Sequence, residues 1–518
     1  MICEAASIPD GHGIDADVCI IGGGPAGLTV AKSLLGKRSR VVVLESGGLK
    51  FERAAQSMSR GDTAGDPYEP LDLCRIRQYG GSTGRSGWGG LCRDLEREDF
   101  SPLRGMPLRG WPLDHSEVKP YVALAAENLG LPAEDSCTDG PKLLSGSTNL
   151  FSDACILAPQ RHFARGWRAS FSTDEHLSLI LHATALKLQP NEARNKVVSV
   201  QVAGRGSRRF AVRARLFVIA GGGIENARLL LLSDGLGNQN DLVGRCFMEH
   251  PRATWGQLTL VGDHQNITPY DPTSAGLGTG SFGGEVARRY FGIAIRPEMR
   301  AQYGILGSRT WIRPSFGGTR NEGGEALRYL SFWVRRGRFH PTLFRQVQKM
   351  AERPIETSRA AFLRLQRRWA QQNNYCFETI LEQDPQPSNR VTLGRSLDRF
   401  DLPRAHLEWK VGPLVQKTLR KVRELISHDL AQLGLDCKDT APGEAPRFSG
   451  ARHHMGTTRM SHDPKTGVVD ADCRIHGTSN VFVAGSSVFP TGGNDMPTLT
   501  IIALSARLGA HLQMLLPL

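Results

Sequence analysis

The sequence predicts an α/β fold in two parts. One is a parallel-sheet domain assembled from separated stretches of chain; the other is an α+β domain built on a mainly antiparallel sheet. Three observations predict this. A strand, a glycine turn, a helix and a second strand succeed one another between Asp17 and Glu45. The same glycine-rich style returns near Gly221 and again after residue 450. Between those returns, from about residue 256 to 448, the βαβ rhythm is lost, and glycine, arginine and aromatic residues mix.

Each element has its own reason. Asp17-Val-Cys-Ile-Ile is the apolar run of a buried strand. From Ala26 the chain reads as a helix, and Arg40-Val-Val-Val-Leu-Glu45 as a second buried strand, which makes a βαβ unit with a parallel pair. Residues 75–92 are glycine-rich and irregular. A helix over 114–129 opens on Asp114 and closes at Gly130. Lys196–Val202 and Leu216–Ala220 are valine-rich strands, and a short helix follows over Glu225–Ser233. Strands are expected again at Ser308–Ile312, Asn374–Leu381 and Arg390–Leu393, and a helix over Gly412–Leu433. A loop, a strand at Val481–Ala484, another loop and a helix over Pro497–Leu515 complete the chain.

Bulk properties bound the function. The 518 residues, 40% hydrophobic and 22% charged, can bury one large core or two joined ones without disulfides. No apolar run is long enough to span a bilayer, and the start reads as a polar leader over residues 1–13 rather than a signal peptide. Ten cysteines without a CxxC pair argue against zinc, a redox dithiol or attached haem; no metal is expected, and free thiols suit a cytoplasmic protein. The net charge of +13 concentrates in 327–368, where Arg335, Arg336, Arg338, Arg364, Arg367 and Arg368 recur. Such a face can meet an anionic substrate, an acidic partner or a peripheral membrane surface, or can simply be solvated. No zinc-finger or RNP signature is present, so nucleic acid is not expected.

Gly22-x-Gly24-x-x-Gly27 sits after a strand and at the mouth of a helix. The first glycine allows the tight turn, the second lets a pyrophosphate approach, and the third lets helix and strand pack closely. The helix N-terminus offers free N–H groups to phosphate. Glu45, 18 residues after Gly27, ends the next strand where a carboxylate can accept ribose hydroxyls. Together these point to a dinucleotide. A second complete fingerprint for NADPH is absent, and Val218-Ile-Ala-Gly-Gly-Gly-Ile-Glu-Asn-Ala-Arg228 returns to the same sheet, as a Rossmann-like FAD domain in separated pieces requires. The domain expected to bind FAD therefore comprises 14–130, 171–255 and 449–518; 131–170 and 256–448 form the substrate domain.

These pieces resemble the glucose–methanol–choline (GMC) flavin oxidoreductases. The resemblance rests on the glycine fingerprint, Gly80-Gly-Ser-Thr, Gly110-Trp-Pro-Leu, Val243-Gly-Arg-Cys-Phe-Met-Glu-His-Pro and His453 to Leu508, in one order. It is nearest to the branch of pyranose oxidase and bacterial glucose or fructose dehydrogenases. It implies oxidation of an alcohol on a sugar, glycoside or polyol. The active-site histidine, three residues before the glycine of the Gly-Thr motif, is then His453, with His454 as second choice. The family's second polar residue falls on Met496, which cannot serve; Asn494 or Asp495 could replace it, or no second partner exists. Gly81 and Ser82 are expected at the flavin or its phosphates, Ala185 at the adenine, and Gly485, Pro497 and Thr498 at the ring, where a helix N-terminus meets developing negative charge. Gly81-Ser-Thr-Gly-Arg-Ser-Gly-Trp holds no histidine for a covalent link, so FAD is expected to be non-covalent. The electron acceptor, whether oxygen, quinone or redox protein, is left open. Glu249 and His250 read as architectural. Two alternatives stand beside this: a lyase or other non-oxidising flavoenzyme on the same fold, and a flavin-bound scaffold protein that uses 327–368.

Overall fold

The computed structural model describes residues 1–516, apart from 85–89, 102–105, 107, 133–140, 159–164, 205, 207, 260–266, 272–276, 283–284, 315–322, 324–325, 328–329, 331–341, 367–373, 439–445 and 495. Its first sheet runs in the order Ile2–Glu4, Leu177–Leu181, Val41–Glu45, Gly13–Ile21, Arg209–Ile219, Val197–Ala203, Thr184–Pro190. The first five strands are parallel, and Val197–Ala203 and Thr184–Pro190 add an antiparallel edge. Val481–Val483 joins parallel to Phe217–Ile219. All five residues of Val41–Glu45 are buried, as the apolar run with no alternation requires. Each fully buried Val, Ile or Leu contributes roughly 1.5–3 kcal/mol.

That last pairing positions the site. It carries the C-terminal stretch to the strand that neighbours Gly13–Ile21, so Gly22 and Gly485 leave the sheet at the same edge. The helices Pro25–Ser33 and Thr498–Leu515 seal the arrangement. They lie so close that a Cβ at Gly509 would stand 2.5 Å from that of Ser33. The helix His115–Leu129 packs on the same side, opened by Asp114 accepting from Ser116 N–H and closed by Gly130 in the left-handed region.

The second sheet is wholly antiparallel, in the order Asp436–Lys438, Arg252–Thr259, Asn374–Leu381, Ser308–Pro314, Glu285–Ile295, Leu150–Leu157, Leu91–Cys92, with Leu277–Phe282 beside Glu285–Ile295. The expected substrate-domain stretches supply nearly all of it. A third sheet joins Arg390–Leu397 and Pro403–Trp409 to Gly61–Gly65 and so ties the two parts together. One apolar core runs through both, from Val18 and Phe482 to Leu258 and Phe377. The helix Pro413–Gln432 covers the second sheet with Val415, Leu419, Val422 and Ile426.

Two differences from the sequence reading concern the first and last elements. Residues 1–13 contain an edge strand, because Ile2–Glu4 pairs with Leu179–Leu181 in the parallel sheet. The last helix starts at Thr498, with Pro497 as its cap and its carbonyl accepting from Ile501 N–H at 2.9 Å. Of the six arginines that mark the basic stretch, Arg335, Arg336, Arg338, Arg367 and Arg368 lie outside the described residues. Among the described residues no helix is long and apolar enough to cross a membrane.

Candidate active site

The glycine turn forms a cradle. Gly22 has φ +120°, and a Cβ there would sit 2.4 Å from Ala220 O; at Gly27 a Cβ would sit 2.0 Å from Gly22 O. Both are bound by the fold itself. Gly24 differs: a Cβ there would meet nothing within 4 Å, so its surroundings are open for a ligand. The Gly80 N–H donates to Gly23 O at 2.8 Å, and a Cβ at Gly81 would lie 3.1 Å from Gly24 Cα. Ser82 is exposed in the same short turn. Arg75 and Arg77 fix this loop by ion pairs of 2.8 Å to Glu225.

Glu45 is buried at the strand end. Its two oxygens accept from Gly23 N–H at 2.9 Å and Gly47 N–H at 2.7 Å, which leaves one lone pair on each. Burial pushes its carboxyl above the usual range. Nearby, the ladder shifts register between Ala185 and Lys187. Gly485, at φ +105°, faces Ala26 from the other side of the turn, with Cβ–Cβ spacing of 3.6 Å if a side chain were added. An open phosphate cradle, a carboxylate with spare lone pairs and a helix N-terminus at Thr498 fit a flavin dinucleotide.

The paired histidines divide. Glu249, fully buried, accepts from His250 N–H at 2.8 Å and His453 N–H at 2.7 Å on Oε1, and from Tyr68 O–H at 2.6 Å and Arg452 N–H at 2.9 Å on Oε2. One carboxylate thus fixes the loop that bears His453. The His453 ring shares a 2.8 Å hydrogen bond, Nδ1 to Nδ1, with His250. His250 Nε2 lies 2.9 Å from Gly493 O. Burial, then the nearness of His250 and of the Arg252 charge, holds the His453 imidazole well below its ordinary pKa.

His454 turns away, into the core beside Phe247 and Tyr68, where burial lowers it to about 3. Its Nε2 is buried without a hydrogen-bond partner among the described residues. It therefore sits among packing residues, away from the His453–His250 contact, because successive residues of an extended loop face opposite ways. His250, read from the sequence as architectural, ties down the Gly493 loop and also meets His453. Its Met-Glu-His-Pro setting was visible, but 203 residues of separation hid the contact with His453.

Asn494 is buried and already engaged. Its Oδ1 lies 3.4 Å from Arg93 Nη1 and its Nδ2 3.5 Å from Ser308 O. Arg93 in turn pairs with Glu96 and Asp153. The amide therefore anchors the loop to the second sheet. Asp495 lies outside the described residues. Met496 packs against the cluster formed by Leu91, Cys155, Tyr290, Trp311 and Ile380, so the position where the family resemblance expects a polar side chain has an apolar setting here. Among the described residues no cluster could hold a metal ion.

Residues 93–252 and 385–505 match family models described as GMC oxidoreductase. The chain belongs to the GMC oxidoreductase family. Members of this family bind FAD and act on CH–OH donors, and the chain is an FAD-dependent alcohol oxidoreductase of this kind. It is 24% identical over 418 residues to the fructose dehydrogenase large subunit of Gluconobacter japonicus, covering 79% of this chain and 67% of that protein. It is 25% identical to the 6'''-hydroxyparomomycin C oxidase of Streptomyces lividus, over 95% of this chain and 90% of that one. Among solved structures it resembles pyridoxine 4-oxidase from Mesorbium loti, with TM-score 0.53 and 16% identity over 96% of this chain and 99% of the other. That likeness is one of fold.

Proposed function

We propose that this GMC oxidoreductase oxidises a hydroxyl group of a sugar, glycoside or polyol-like small molecule, with His453 as the base that takes the hydroxyl proton. The carrying observation is the His453–His250 contact of 2.8 Å at the end of the loop that Glu249 fixes. When bound, the flavin supplies a hydride acceptor. Gly24, Gly81 and Glu45 would hold the dinucleotide, and the N-terminus at Thr498 would face the ring. The sequence around Gly81 offers no histidine for a covalent bond, which supports non-covalent FAD. The described cysteines are free thiols, which supports a reducing cytoplasm as the place of work.

The histidine pair prepares the base. Gly493 O only accepts, so His250 Nε2 carries a hydrogen. A neutral His250 then presents a lone pair at Nδ1. His453 must donate from its own Nδ1, and its Nε2 is left with the lone pair that accepts the substrate proton. His250 also stabilises the imidazolium that results, by accepting a charge-assisted hydrogen bond. Burial keeps His453 neutral and therefore ready at neutral pH.

The test is His453→Ala. FAD content and thermal stability should be retained while anaerobic bleaching of the flavin by a reactive sugar falls by about 10²–10⁴-fold. Bleaching at the unmodified rate would remove His453 as the base.

A further inference from the structure

The second sheet turns a charged face toward the loop that precedes the last helix. Met496 of that loop packs against the apolar cluster that contains Trp311 and Ile380. Across the ladder Trp311 stands opposite Glu378, and Arg252 opposite Ile380. Directly paired residues share a face, and so do residues two apart on one strand. Arg252, Trp311, Arg313, Glu378 and Ile380 therefore all point to the same side as Met496. Arg252 also follows Pro251 and His250 directly, so it stands beside the histidine pair. Its charge is one of those that depress the His453 imidazole.

The charges on this face do not balance. Arg313 Nη2 lies 2.8 Å from Glu378 Oε1, and Arg252 Nε lies 3.9 Å from the same oxygen. One carboxylate answers two guanidinium groups. Glu378 is nearly buried, with 7% of its side chain exposed, whereas Arg252 and Arg313 keep 33% and 26% exposed. The Nε atoms of both arginines are buried and make no hydrogen bond among the described residues. A half-buried guanidinium with unused donors is costly unless an anion meets it. Its planar fork matches a carboxylate or phosphate in two parallel hydrogen bonds.

We infer that the molecule oxidised carries an anionic group, a carboxylate or a phosphate ester, which Arg252 and Arg313 hold on the sheet side of His453. This rests on the alcohol-oxidising role proposed above, and adds that the substrate class is the acidic sugars and polyols. The two guanidinium groups anchor the anion, and the hydroxyl is presented to His453 Nε2. Glu378 holds the guanidinium groups apart and in register. A cationic amino sugar would meet net repulsion in the same place.

The experiment uses the FAD-loaded protein, without oxygen, and four ligands on one pyranose ring: a methyl glucoside, its glucuronide, its 6-phosphate and its amino analogue. Two signals are followed, the shift of the oxidised flavin band on binding and its bleaching. The expected result is half-saturation by one or both acidic ligands at a concentration at least tenfold below the neutral one. The advantage should shrink as salt is raised, and the amino analogue should bind worst. The pattern across glucuronide and phosphate distinguishes the two sources of the anion. Arg252→Gln and Arg313→Gln should each raise the half-saturating concentration of the acidic ligand by about tenfold or more, and that of the neutral ligand less; Arg313→Lys should recover part of the loss. Equal or weaker binding of both acidic ligands relative to the neutral one, no band shift with any of the four, or glutamine variants that weaken all four alike would overturn the anion site. Tight, salt-sensitive binding of an acid without bleaching would keep the anion site and count against alcohol oxidation instead, so the two readings fail separately.

Discussion

Replacing His250 separates its two hydrogen bonds. In His250→Gln the longer amide can still donate to Gly493 O, now 2.9 Å from Nε2, but nothing accepts from His453 Nδ1. In His250→Asn the side-chain oxygen falls near the place of the ring Nδ1 and restores that acceptor, 2.8 Å from His453. A hydrogen bond to a charged group is worth about 1.5–3 kcal/mol. If His453 becomes an imidazolium as the hydroxyl proton leaves, losing that bond slows flavin reduction by about 10- to 150-fold. The glutamine variant should lie in that range, and the asparagine variant within a few-fold of the unmodified protein. Anaerobic stopped-flow at the visible flavin band measures the rate. Nitrogen-15 NMR of histidine-labelled protein reads the tautomers directly: Nε2–H on His250 and Nδ1–H on His453. Equal rates for the glutamine and asparagine variants, or a proton found on His453 Nε2, would refute the assignment of tautomers.

Gly24→Ala should leave apoprotein melting nearly unchanged, because its Cβ would meet nothing within 4 Å, yet weaken FAD binding about tenfold or more by fluorescence titration; crowding a filled site costs about 1–3 kcal/mol. Gly22→Ala should instead lower the melting temperature of the apoprotein itself, since its Cβ would collide with Ala220 O at 2.4 Å. Stability should fall on the acid side through His454. Its imidazole is depressed to about 3 in the fold, so the unfolded chain binds the proton first and stability is lost as pH falls from about 6.5 toward 3, by up to about 1.4 kcal/mol per pH unit. Melting curves of His454→Phe should flatten that limb. Asp99 works in the opposite sense. Burial, then the nearby Glu382 and Glu96 charges, push it up to about 7, so its contribution is complete below pH 4 and lost as pH rises through 7. Asp99→Asn should flatten the neutral limb of the same curves.

The legible part of the fold was the part with local causes. Strict apolar runs gave Val41–Glu45 and the core of Gly13–Ile21, and caps at Asp114 and Gly130 gave the ends of the helix between them. Asn374–Leu381 was legible to the residue. Glu285–Ile295 and Leu150–Leu157 were missed, because strands rich in arginine and glycine or in mixed polar residues lack a clean period of two. Counting from Gly456 put His453 before His454; in the structure successive residues on that extended loop face opposite ways, one to His250 and one to Phe247.

By itself the sequence determined the dinucleotide turn, the order of the family's pieces and the histidine three residues before Gly456. All of these depend on spacing along one stretch of chain. Only the tertiary structure decided that His250 meets His453, that Asn494 is taken up by Arg93 and Ser308, and that Glu378 answers both Arg252 and Arg313. Those contacts join residues some 60 to 400 positions apart. The pairing of Val481–Val483 with Phe217–Ile219 brings the C-terminal stretch to the glycine turn, and the ladders of Asn374–Leu381 with its two neighbours bring Glu378 to both arginines; no local pattern encodes a distance across a folded sheet.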